Sequence, residues 1–213
     1  MATTNDIYAE MQRYAPLELA ESWDNPGLLV DCGRKVSRVL VTLDITPEVV
    51  EEAAAGGCEL IVSHHPVIFS PLKKLTPRDV SFQLVQKGIS AICMHTNLDA
   101  AEGGVNDCLA CTLGLQDTKP LNEEKIGRIG TLSCEKPLEQ FLSDVVKLLS
   151  CNGLRYRDGG RPVHRVAVGG GACGEYIPQA IAQGCDTFVT SDLRYNDFLD
   201  TQGLNLIDAG HFP

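Results

Sequence analysis

The 213-residue chain has no apolar run approaching the ~20 residues a membrane-spanning helix needs. Its first residues, Met1 to Asp6, hold no basic segment leading into an apolar one, so no secretory leader is expected. Basic residues are scarce: 18 Lys and Arg stand against 28 Asp and Glu, giving a formal charge of −10. Such a surface is poorly suited to neutralising a phosphate backbone, which disfavours nucleic acid as the main partner but leaves room for a local nucleotide pocket. Aromatics make up only 6% of the chain, with one tryptophan. The nine cysteines show no regular spacing, and an odd number cannot pair completely, so reduced thiols in a cytoplasm are expected. Cys108 and Cys111 lack a second pair, so they read as small apolar residues on a helix rather than a zinc knuckle. No G-x-S-x-G elbow is present, and Ser63 beside His64 does not define a triad.

What is present is an alternation of strand and helix. Val39–Leu43 is a short apolar run; Thr46 then offers a capping hydroxyl and Pro47 a first helical residue. That helix is expected to stop at Gly56-Gly57. Leu60–Val62 reads as the next strand, 80–87 as a helix closed by Gly88, Ile89–Met94 as a strand, and Asn106–Leu113 as a helix. This pitch predicts an α/β protein with mostly parallel sheets. Later, Gly127–Ser133 reads as a strand and Leu138–Ser150 as a helix, before the first theme returns. Val36–His65 aligns without gaps on Val163–Asp192 at an offset of 127, with ten identities in thirty positions. Shared Arg38, Glu48 and Gly57-Cys58 go beyond the apolar pattern common to any strand-helix-strand unit. The reading is an internal duplication: one α/β half over 1–120 and a related one over 121–213, with a site in the cleft between them.

Ligand sites in open α/β sheets gather outside the carboxyl ends of strands. The chain places His64-His65, His95 with Asp99, and His211 at such ends, and of its five histidines only His164 lies elsewhere. Mixed imidazole and carboxylate donors suit Zn, Fe, Mn or similar ions. Along a regular strand His64 and His65 would point to opposite faces, but before Pro66 the chain can turn both rings one way. One buried and one solvated histidine is the alternative reading. Gly169–Gly174 satisfies G-x-G-x-x-G after a strand. A dinucleotide would also need an acid about 20 residues on, for which only Asp192 is a rough candidate, so a backbone cradle for an anion fits better. Trp23 reads as an anchor for the N-terminal helix, with Asp24 and Asn25 capping a turn; a place in the cleft is the second reading.

Several motifs together carry a family resemblance that runs almost end to end: Glu21–Leu28, Val62–Pro66, His95–Asp99, Gly169–Gly171, Thr190–Asp192 and Asp208–His211. In these the chain resembles the NIF-three-like (Ngg-one-interacting-factor) proteins, the GTP cyclohydrolase type 2 homologues. The resemblance implies two divalent metal ions held by His64, His65, a bridging Asp99 and His211, in a toroidal homohexamer. It leaves His95 as a catalytic proton-transfer group rather than a ligand. The family pattern has a bridging glutamate four residues after its last histidine, and Pro213 falls two residues short of it, so a truncated chain is expected. The implied activity is metal-dependent hydrolysis of a nucleotide-like or phosphorylated small molecule. The alternative is a metal carrier or regulatory scaffold that catalyses nothing.

Overall fold

The computed structural model describes residues 1–212, which fall into two compact units, 1–101 and 102–212. The first runs β1 (Ala2–Thr3), α1 (Thr4–Tyr14), a 3-10 turn at Leu17–Leu19, β2 (Gly27–Val30), β3 (Lys35–Val36) and β4 (Val39–Thr42). It continues with α2 (Pro47–Ala55), β5 (Leu60–Ser63), α3 (Val80–Lys87), β6 (Ser90–Cys93) and α4 (Thr96–Ala100). The helix ends follow local chemistry. Thr3 and Asp6 form a capping box on α1, and the Thr46 hydroxyl accepts from the Val49 amide ahead of Pro47. Gly88 ends α3 in the left-handed conformation at φ 65°.

The main sheet has the order β2-β6-β5-β4. Its strands alternate faces: Ile61 and Ala91 pack with Val50, Ala53 and Leu84 under α2 and α3, while Leu60 and Ile92 pack with Ile7, Tyr8 and Met11 of α1. β4, β5 and β6 are parallel, but β2 joins β6 antiparallel. The carboxyl ends of β5 and β6 are therefore adjacent, with Ser63 beside Cys93.

The second unit runs α5 (Val105–Thr112), β7 (Gln116–Pro120), β8 (Arg128–Lys136), α6 (Leu138–Leu148), β9 (Arg155–Arg157) and β10 (Val163–Val168). After a 3-10 turn at Gly174–Tyr176 come α7 (Ile177–Ala182), β11 (Thr187–Thr190), α8 (Tyr195–Asp200) and β12 (Asn205–Asp208). The sheet order is β7-β8-β10-β11-β12-β9, with only β10-β11-β12 parallel. Both main sheets are thus mixed, and the expectation of mostly parallel sheets is corrected. The edge strands β7 and β9 are short and polar, carrying none of the apolar runs on which the parallel reading rests. Ala110, Leu113 and Leu115 share a core with Leu132, Phe141 and Val166 in this second unit.

The two parallel cores share a register. Val39 opposes Leu60 in the first, and Val166 opposes Thr187 in the second, both positions lying 127 residues further on. Glu59 accepts the amides of Ser37 and Arg38, while Asp186 accepts those of His164 and Arg165, at the same offset. Among the described residues, no helix is long and apolar enough to cross a membrane.

Candidate metal centre

At the end of β5 the chain leaves the sheet under firm backbone control. The His64 and His65 amides donate to the carbonyls of Thr42 and Leu43, the Ser63 hydroxyl donates to the His65 carbonyl, and the Cys93 thiol donates to that of His64. Burial and the neighbouring Asp24 charge push the Cys93 thiol far above its ordinary pKa, so it acts as a fixed neutral donor. The turn brings both imidazoles to one side, with ring centroids 5.1 Å apart.

The loop after β6 delivers a third ring. His95 lies 5.2 Å from the His64 ring and 5.5 Å from that of His65. Its position is set by neighbours that explain each polar letter of the His95–Asp99 motif. Asn97 is fully buried, accepting from the His95 amide and donating to the Ala15 carbonyl. The Thr96 hydroxyl donates to Asp24 at 2.6 Å and accepts the Glu21 amide. Asp99 is buried in α4, with Oδ1 3.7 Å from His64 Nε2.

One donor atom from each of His64, His65 and His95 lies within 4.8 Å of the others. Each ring places Nδ1 against an oxygen: His64 on the Met94 carbonyl at 2.9 Å, His65 on Asp44 at 2.7 Å and His95 on Asp24 at 2.8 Å. An acceptor at Nδ1 fixes the proton there, so the neutral ring carries its lone pair on Nε2. This is how proteins orient metal-binding imidazoles, and with a carboxylate beside them the donor set fits a divalent transition metal. Burial works against the Asp24 carboxylate, but hydrogen bonds from His95, Thr96 and the Asn25 amide outweigh it and hold its pKa at about 2. His95 is thus backed by a permanent negative charge.

Asp24 and its neighbour revise the reading of residues 23–25. Trp23 is 56% exposed, and its ring stands 6.2 Å from that of His95 and 5.9 Å from Phe69, walling one side of the cluster. The sequence offered no means of pairing Asp24 with a histidine 71 residues away. Asp44 was more accessible to reasoning, since it follows β4 at the same strand-end level as His64.

His211 belongs to the second unit. Its Nδ1 meets Asp192 Oδ2 at 2.6 Å, Asp192 sitting in the left-handed region at φ 52°. Around it, the glycine-rich turn is explained by packing. A Cβ on Gly169 would stand 2.7 Å from that of Cys173, one on Gly170 would stand 3.0 Å from Val105, and Gly171 has φ +73° beside the His211 ring. The Gly169 and Gly170 amides are spent on Val189 and Asn106, so the motif needs no dinucleotide to account for it.

Three oriented histidines and a buried carboxylate at the strand ends of an α/β unit define a candidate metal-centre protein. Comparison with known proteins gives the family: the chain belongs to the Duf34/NIF3 (NGG1p interacting factor 3) family, which it matches over residues 2–213. It is 32% identical to a Clostridium perfringens protein named GTP cyclohydrolase 1 type 2 homolog, over 98% of this chain and 85% of that protein. A Lactococcus lactis protein of the same name is 34% identical, over 98% and 85%. The crystal structure of a Bacillus cereus protein related to NIF3 superposes with a TM-score of 0.89 at 26% identity, covering 97% of this chain and 87% of that one.

Proposed function

We propose that the chain holds two divalent metal ions of the Zn, Fe or Mn class through His64, His65, Asp99 and His211. We propose further that the loaded protein hydrolyses a nucleotide-like or phosphorylated small molecule. The observation that carries the reading is the convergence of three imidazoles, each anchored at Nδ1, with the buried Asp99 carboxylate 3.7 Å from one of them, His64. His211 joins the set through the family resemblance alone. The name shared by the relatives supports a purine-like substrate. The paired registers and matching Glu59 and Asp186 caps support a duplicated α/β element as the origin of the two units. A toroidal homohexamer in the cytoplasm completes the proposal, with its mass in solution as the check.

A divalent cation held here would supply a Lewis acid for a phosphoryl or ring carbon centre and lower the pKa of water. The chain's own groups do the rest. His64 and His65 present Nε2 in a fixed orientation, and Asp99 contributes negative charge from a buried position. His95 keeps its Nδ1 proton on Asp24 and can take up or release a proton at Nε2. Trp23 and Phe69 offer aromatic faces beside the cluster on which a planar substrate could rest.

The test is turnover. Protein loaded with Mn, Zn or Fe is expected to hydrolyse at least one member of a nucleotide and phosphoester panel, with activity abolished in Asp99→Ala. A panel without metal-dependent turnover, alongside ready transfer of metal to an apo-acceptor, would make the protein a carrier instead.

A further inference from the structure

The second unit carries an open surface groove of about 440 Å³ that the metal centre does not explain. Its walls are Arg155, Tyr156 and Arg157 of the edge strand β9, and Tyr195 and Phe198 of α8. The spacing makes the wall. Residues two apart on a strand share a face, which groups the two arginines, and residues three apart on a helix share a face, which groups the two aromatics. The volume lies within the range of small-molecule sites.

The guanidinium groups are held in place. Arg155 donates to the Leu193 carbonyl at 2.9 Å, pairs with Asp208, and lies 5.3 Å above the Phe198 ring. Its side chain is still 62% exposed. Arg157 donates to the Phe198 carbonyl, while its Nε is buried without a hydrogen-bond partner among the described residues. Tyr195 and Tyr156 stand 76% and 52% exposed at the rim. Among the described residues no lining side chain is acidic, although Asp208 offsets part of the charge of Arg155. Two oriented guanidiniums select a phosphate or carboxylate, and exposed tyrosines select a flat ring.

We propose that this groove binds a small anion bearing a planar aromatic ring, in chemical class a nucleoside monophosphate. The phosphate meets Arg155 and Arg157, and the base stacks on Tyr195 or Tyr156. The site uses residues of the second unit alone and does not depend on the metal reading.

Titration calorimetry of metal-stripped, full-chain protein with AMP tests it. Saturable binding is expected, falling about tenfold or more in Tyr195→Ala, an exposed position whose loss leaves the fold intact. Adenosine and inorganic phosphate, each supplying half of the chemistry, are expected to bind at least about tenfold more weakly than AMP. Arg157→Ala should weaken AMP and flatten its salt dependence, and Tyr156→Ala serves if that variant does not fold. Absence of saturable binding with AMP, GMP and CMP would overturn the proposal. So would AMP binding indifferent to both tyrosine variants, or phosphate binding as tightly as AMP. A change of oligomeric mass in Tyr195→Ala would overturn it too, making the groove an interface between copies.

Discussion

Asp24 shows how much of the candidate centre rests on one side chain outside the ligand set. Its carboxylate receives the His95 ring, the Thr96 hydroxyl and amide, and the Asn25 amide. Asp24→Ala removes the acceptor of all four hydrogen bonds. The expected outcome is a loss of about 2 kcal/mol in urea unfolding, because buried donors are left unmade. Turnover is expected to fall about 10- to 100-fold with bound metal near wild type, the usual cost of removing a group that orients a metal-site imidazole. Unchanged turnover would mean that His95 does not need orienting. His95 itself separates its two roles. With His95→Gln, the proposal expects bound metal to stay near wild type while turnover falls at least about 100-fold, the loss typical of a proton-transfer group. Metal lost in proportion to activity would make His95 a ligand. The strand-end position of these histidines was legible from sequence because strand length and the following polar residue can be read locally. Their orienting partners Asp24 and Met94 were not, since each contact depends on how the loops after β5 and β6 and the Trp23 turn fold together.

Among the elements, helix ends and parallel strands were the most readable. Thr46-Pro47 and Gly88 act through their own backbone geometry, so α2 and α3 begin and end where residue chemistry places them. β7 and β9 were not readable: Gln116–Pro120 is exposed throughout, and Arg155–Arg157 has no apolar alternation to signal a strand. Their pairing is imposed by the neighbouring strand edge, which turned an expected parallel sheet into a mixed one. The junction of β4 and β5 supplies a pH test. The Ser37 and Arg38 amides hold the Glu59 carboxylate well below its usual value of 4.5, at about 2. A carboxylate with a lowered folded pKa stabilises the fold above 4.5, and that stabilisation drains away as pH falls toward 2. Glu59→Gln should therefore be less stable than wild type at neutral pH and lose less on acidification across that window. Urea midpoints measured from pH 6 to pH 2 check this. Parallel curves for the two proteins would contradict it.

At the scale of the whole molecule, the 127-residue offset was visible in the sequence and coincides with strand register and capping in both units. What the offset also exposes is where the halves differ. The first carries His64 and His65, and the second carries Ser191 and Asp192 at the corresponding positions. Strand carboxyl ends are where open α/β sheets place ligand sites. The central claim is that the first unit's strand ends hold metal. Anomalous scattering from crystals grown with Zn or Mn tests it most directly. The account predicts a strong peak among the Nε2 atoms of His64 and His65 beside Asp99; well-ordered crystals showing these side chains and no peak between them would contradict it.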